Sequence, residues 1–177
     1  MKALKLAASA LAAVAAVLVA AAPAAVATPA ATAAYGRPAL AELRNLTAKY
    51  HDARAAVADG YVPTDVCVES PEGGMGYHFV NPALVMDGIV DFKRPEVVVF
   101  VPSPTGLRLG AVEYVQPDAD QNLATDDDRP SVFGHPFDGP MPGHEPGMPI
   151  HYDLHVWLWK HNPNGLFAAW NPTVHCP

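Results

Sequence analysis

The chain is short of cysteine and of basic residues, and it lacks the compact motifs that usually announce a chemistry. Two cysteines in 177 residues leave no C-x-x-C-H haem attachment. There is no G-x-S-x-G, and Ser70, Ser103 and Ser131 sit in loop-like contexts, which disfavours a serine-type hydrolase. His144-Glu145 is not followed by a second histidine at zincin spacing. No glycine loop suited to phosphate is present. Asp118-x-Asp120-x-Asn122 opens like a calcium loop, but Leu123 stands where glycine is needed and Arg129 where the bidentate glutamate belongs, so this acidic run reads as a solvated loop. Lys and Arg number 11 against 18 acids, and removing Lys2 and Lys5 with the N-terminal leader takes the formal charge from −7 to −9. Such a surface excludes nucleic acid and anionic lipid as natural partners. No internal repeat is present.

The long apolar run, Leu6 to Ala22, follows a basic start and precedes the small-x-small step Ala25-Val26-Ala27. This is the layout of a secretory signal peptide over residues 1–27. Ala31-Thr32-Ala33 offers an alternative cut. The run is at the short end of the roughly 17–25 residues that span a bilayer, and alanine is a weak membrane residue, which favours cleavage over anchoring. With no cysteine near either cut, a bacterial lipoprotein anchor is excluded. The expectation is a secreted or periplasmic protein with no membrane attachment after cleavage. About 150 residues remain, enough for one domain with a real core. In an oxidising compartment Cys67 and Cys176, with no third thiol, pair as a disulfide across ~110 residues, which the chain-entropy model values at nearly 5 kcal/mol.

Thr28 to Arg37 reads as a flexible lead-in to a single globular domain over residues 38–177. Pro38 suits the first turn of a helix, and Leu43, Leu46, Tyr50, Ala53 and Val57 form one apolar stripe that Gly60 and Pro63 terminate. His51, at the stripe's edge, reads as a boundary residue. Tyr61 to Gly76 is a linking segment with a break at Gly73-Gly74. Residues 76–81 form a short strand with His78 opposite in direction to Tyr77 and Phe79. Leu84–Met86 and Ile89–Phe92 read as short strands about a turn. Glu96 to Val101 and Leu107 to Val115 make the clearest hairpin, joined by Pro- and Gly-rich turn chemistry. In the returning strand Glu113 is a carboxylate in an apolar row. Burying it costs several kcal/mol unless it is paired, protonated or bound to a cation; a salt bridge to Arg94, Arg108 or Arg129 is the alternative. Gln116 to Ile150 is a long Pro/Gly-rich loop whose later half should order over the sheet. Leu166–Trp170 reads as a last strand.

The most informative stretch is His151 to Lys160, which alternates as a strand should. Tyr152, Leu154, Val156 and Leu158 form a core face; His151, Asp153, His155, Trp157 and Trp159 share the other. Six of the eight histidines follow Pro130. Histidine and carboxylate are the ligands of mixed transition-metal sites. On a strand, His151 and His155 lie roughly 13 Å apart, too far for one ion. The expected metal ligands are therefore His78, Glu113 and His155, with His144 as a fourth from the loop, and with Asp153 and His151 as supporting partners that orient an imidazole. The implied cofactor is a divalent transition metal. An acid–base pair of His155 with Asp153 or Glu113 is a metal-free alternative, and no catalytic residue is named. A second function class is a metal-free binding module, with Trp157, Trp159 and Tyr114 stacking on a small aromatic or sugar-like ligand.

The blocks Met75-Gly76-Tyr77-His78-Phe79-Val80-Asn81-Pro82, Val112-Glu113-Tyr114, Gly143 to Pro149 and His151 through Cys176 together resemble a family of exported bacterial proteins of uncharacterised function. The likeness covers most of the mature chain. It implies export and a single domain, and it brings no activity or site residues with it.

The fold expected from these elements is α+β: one N-terminal helix on a mostly antiparallel, curled sheet of five or six strands, with a long Pro/Gly-rich loop. The function expected is a small exported domain with a His/carboxylate metal site in an aromatic-lined cleft.

Overall fold

The computed structural model describes residues 29–144 and 147–177, with side chains of the first helix described from Gly36 onward. The expected leader falls outside these residues. The fold is α+β: N-terminal helix, then a curled six-stranded antiparallel sheet resembling a half-barrel. The strands are β1 (Val62–Ser70), β2 (Gly73–Val80), β3 (Val97–Ser103), β4 (Gly106–Pro117), β7 (Asp138–Met141) and β8 (His151–Val156), in the order β1-β2-β3-β4-β8-β7. A two-stranded ribbon, β5 (Ser131–Val132) and β6 (His135–Pro136), lies within the long loop.

The helical part departs from the single helix expected. Helix α1 runs Pro29–Thr47, so Pro38 lies inside it and residues 29–37 of the expected lead-in are helical. The Thr47 hydroxyl donates to the Leu43 carbonyl (2.8 Å), and a 3-10 turn, Ala48–His51, follows. Asp52 then caps a new helix, α2 (Ala53–Ala58), accepting from the Arg54 backbone N–H at 3.0 Å. After this break Ala56 takes the core side and Val57 faces solvent; Leu43 and Tyr50 are buried, and Leu46, before the break, is exposed. Gly60, at φ +92, makes the expected left-handed stop.

Two further segments differ. The linking segment is strand β1, and Gly73-Gly74 opens β2. A Cβ on Gly74 would lie 2.7 Å from Val174 Cγ1, so the glycine lets the C-terminal tail lie directly on the strand. Residues 82–87 are a short helix, α3 (Pro82–Asp87), rather than a strand. Its signals were local: the Asn81 side chain accepts from Ala83 N, Pro82 occupies the first turn, and Gly88 (φ 66) ends it.

The hairpin β3–β4 forms as expected, with one irregularity. Gly110 is the extra residue between the pairs Val99↔Ala111 and Phe100↔Leu109. One face of the sheet packs on the helices through Val98, Phe100, Val112, Tyr114, Tyr152, Leu154 and Val156. The other carries Val97, Val99, Val101, Ala111, Val115 and Trp157, covered by Val174 of the tail and Met148 of the long loop. The later half of that loop is thus ordered over the sheet, and it contributes β7 to the sheet edge. The expected strand at 166–170 is not formed; the tail makes a single bridge, Asn171↔Gly74. The disulfide Cys67–Cys176 anchors it, with a sequence separation of 109. No described helix is long and apolar enough to cross a membrane.

Candidate metal centre

The central strands bring one group together by register alone. Glu113 on β4 pairs directly with His155 on β8, and with Val97 on β3. Two strands away, His78 pairs with Val99, which pairs with Ala111. Because alternate residues share a face, His78, Glu113 and His155 all point to the tail-covered side. His78 Nε2 lies 3.4 Å and His155 Nε2 3.9 Å from Glu113 Oε2. The three residues offer ligand atoms within 4.8 Å of one another, a spacing that could hold a metal ion. The imidazoles meet edge to face, with ring centroids 5.9 Å apart.

No hydrogen bond joins these groups. His155 is 1% exposed, and neither of its ring nitrogens has a partner. Leaving a buried donor or acceptor unpaired costs about 1–3 kcal/mol each. Burial, with nearby imidazoles adding to it, pushes His78 down to about 4 and His155 down to about 3. Both are therefore neutral at pH 7, which is the form that ligates metal. Burial, with Asp153 and Glu96 adding negative charge nearby, holds the Glu113 carboxyl well above its ordinary range. The contacts of Glu113 with the histidines are thus not an ion pair in the metal-free protein. None of Arg94, Arg108 and Arg129 is its partner among the described residues: Arg94 binds Asp87 and Asp91, and Arg129 binds Asp126 and the Phe137 carbonyl.

The same face carries a second group. His144, His151 and Asp153 also offer ligand atoms within 4.8 Å of one another. His144, expected as a fourth ligand beside His155, has its ring 5.1 Å from that of His151 and also acts electrostatically on His78 and His155. His151 Nδ1 is 3.1 Å from the Pro149 carbonyl. A carbonyl only accepts, so Nδ1 carries the proton and the Nε2 lone pair is left free. Asp153 is 4% exposed with Oδ1 unpaired. Burial, reinforced by Asp138 across the β7–β8 ladder, pushes it up to about 7. His151 and Asp153, expected as supporting partners of His155, instead stand with His144 as a group of their own. The signal was present as the His-x-Asp spacing on one strand face.

The expected aromatic lining is divided. Trp157 stays on the site face, its ring 6.4 Å from that of His155 and nearly parallel, with Nε1 donating to the Ala168 carbonyl. Trp159 does not share that face. The strand ends at Val156, and the backbone N–H groups of Trp159 and Lys160 both turn to the Gly110 carbonyl in the β4 bulge. The alternation is lost there. Trp159 packs on the helical side, under Arg44 (3.9 Å to the ring centroid) and against His51, with Nε1 donating to Thr47. Tyr114 is fully buried on that side as well, its hydroxyl donating to the Phe92 carbonyl at 2.6 Å. The three residues expected to stack on a ligand therefore do not border one cleft.

Comparison of the chain with protein-family models, with characterised proteins and with solved structures found no match, and so nothing there bears on the resemblance to exported bacterial proteins.

Proposed function

We propose that this is an exported metal-binding domain in which His78, Glu113 and His155 hold one divalent transition metal. The observation that carries it is His155: a buried imidazole, neutral by burial, with both nitrogens unpaired and Nε2 facing a carboxylate and a second imidazole. A metal ion at this point satisfies the orphaned nitrogen and offsets the cost of an ionised Glu113. Nitrogen and oxygen donors suit zinc and its neighbours in the first transition row. The site lies within the fold, on strands of the central sheet rather than on loops, which suits a preorganised ion position. An open coordination place on such an ion would polarise a water or an oxygen-bearing substrate. The basic, apolar N-terminal pattern, the disulfide and the resemblance support a secreted or periplasmic location.

Elemental analysis of the protein, purified from an exported preparation without chelator, tests this directly. His155→Ala is expected to lose one equivalent of metal relative to the unsubstituted chain. His78→Ala, at a less buried position, does the same with less effect on folding. If neither variant changes the metal content and both fold, the histidines are structural and the proposal fails. Stacking of a flat ligand between Trp157, Trp159 and Tyr114 has no support in the geometry, since Trp157 lies on one side of the sheet and Trp159 and Tyr114 on the other.

A further inference from the structure

We propose that His144, His151 and Asp153 form a second, solvent-facing position for a divalent transition metal, so that the chain carries two ions on one sheet face. This goes beyond the buried position above and rests on different residues.

Three observations support it. The ligand atoms converge within 4.8 Å. The proton on His151 Nδ1 is fixed by the Pro149 carbonyl, which leaves Nε2 as the free donor, as the outer partner of a metal-bound histidine commonly does. Asp153, whose buried Oδ1 is unpaired, belongs to the same group. His151 and Asp153 are fixed on β8, while His144 comes from the exposed loop.

The two positions differ in kind. Asp153 and His155 are alternate residues of one strand, with Cα atoms roughly 7 Å apart, and they belong to different groups. The two groups share no residue, so each position has its own ligands. The first is enclosed by the sheet and tail. The second is closed on the sheet side by His151 and Asp153 and reached from solvent at His144. A His/His/Asp set with solvent on one side keeps room for water or for an exogenous oxygen ligand such as a carboxylate or phosphate group. The outer position is therefore the exchangeable one.

The test is zinc stoichiometry on the full mature chain after saturation with zinc and removal of free ion, followed by timed removal with a colorimetric chelator. The unsubstituted protein is expected to hold two equivalents and release one of them at least tenfold faster. His144→Ala, a change at an exposed loop residue, is expected to hold one equivalent and to lose the fast phase while its circular dichroism is unchanged. His155→Ala is expected to hold one equivalent and to keep the fast phase. One equivalent in the unsubstituted protein, unaffected by His144→Ala and lost in His155→Ala, overturns the second position and leaves the first. One equivalent lost in His144→Ala and retained in His155→Ala supports the outer position and removes the inner one. No bound zinc at all overturns both.

Discussion

Replacing Glu113 by glutamine should stabilise the metal-free protein at high pH and reduce the stabilisation that zinc adds. In the metal-free protein the Glu113 carboxyl is held above its ordinary value of 4.5, by burial first and then by Asp153 and Glu96. A carboxyl raised on folding contributes stability that is fully present below the unfolded value. That contribution is lost as pH rises through the folded value, at up to ~1.4 kcal/mol per pH unit. Glutamine has nearly the same shape and does not ionise. Metal-free Glu113→Gln should therefore match the parent near pH 4.5 and exceed it progressively toward pH 8. Zinc should stabilise the variant less than the parent. An ion held at a free concentration of a hundred times its Kd adds about 2.7 kcal/mol to the folded state. Even outer partners of metal ligands are worth roughly tenfold or more in affinity, so a lost carboxylate ligand costs at least that. A tenfold weaker Kd leaves only about 1.4 kcal/mol of the zinc effect. Urea unfolding at pH 4.5, 6 and 8, with zinc and with chelator, reads both effects. Equal zinc stabilisation of parent and variant would refute Glu113 as a ligand. A metal-free variant less stable than the parent at pH 8 would refute the argument from burial.

Three other outcomes follow from the structure. Replacing both Cys67 and Cys176 by serine opens a link with a sequence separation of 109 and should cost ~5 kcal/mol on the chain-entropy account; denaturant midpoints check it, and a shift worth less than ~1 kcal/mol contradicts that account. Glu96 is buried on the helical side, with Val115 N donating to Oε2, and burial pushes it up to about 7. Its contribution should fall by up to ~3 kcal/mol between pH 4.5 and pH 7, and Glu96→Gln should remove that part of the slope in pH-dependent unfolding. Copper(II) bound at the inner position should quench Trp157, whose ring is 6.4 Å from His155, and not Trp159 on the other side of the sheet; Trp157→Phe should abolish most of the quenching, and Trp159→Phe should leave it.

Much of the fold was legible because its signals are local. The β3–β4 hairpin follows from an apolar run, a Pro/Gly turn and a second run. The disulfide follows from there being only two cysteines. The elements missed were also locally encoded, but against a competing pattern. Asp52 reads as one more polar residue on a helix until its carboxylate is seen to cap a new one. Asn81-Pro82 reads as the end of a strand although it is equally the start of a helix. The opposed burial of Leu43 and Val57 shows the consequence: after the interrupted turn Ala56, and not Val57, faces the core.

The candidate site shows what strand periodicity determines and where it stops. Alternation placed His151, Asp153 and His155 on one face correctly, because β8 is regular from His151 to Val156. It placed Trp159 wrongly, because a bulge on a different strand bends the chain after Val156. Gly110 was the cause, and nothing within residues 151–160 encodes it. Periodicity also fixes spacing along the strand, and this is what divides the donors. Two imidazoles four residues apart are too distant to share an ion, so an ion at either would need its other ligands from elsewhere. The ladder completes His155 with Glu113, its direct partner, and with His78 from β2. The long loop completes His151 with His144. Which loop histidine would arrive, and at which end of the strand, depended on the packing of Met148 and the path from β7, a long-range matter invisible to a pattern. The carboxylates complete the logic. Glu113 and Asp153 occupy alternate places on adjacent strands, each buried and each raised above its ordinary range. A fold that needed only packing would have placed apolar side chains at both positions, as it did at the neighbouring Val97, Val99 and Val115. Two buried carboxylates, Glu113 beside His78 and His155 and Asp153 beside His151, are costly without a cation, and a bound cation would offset that cost.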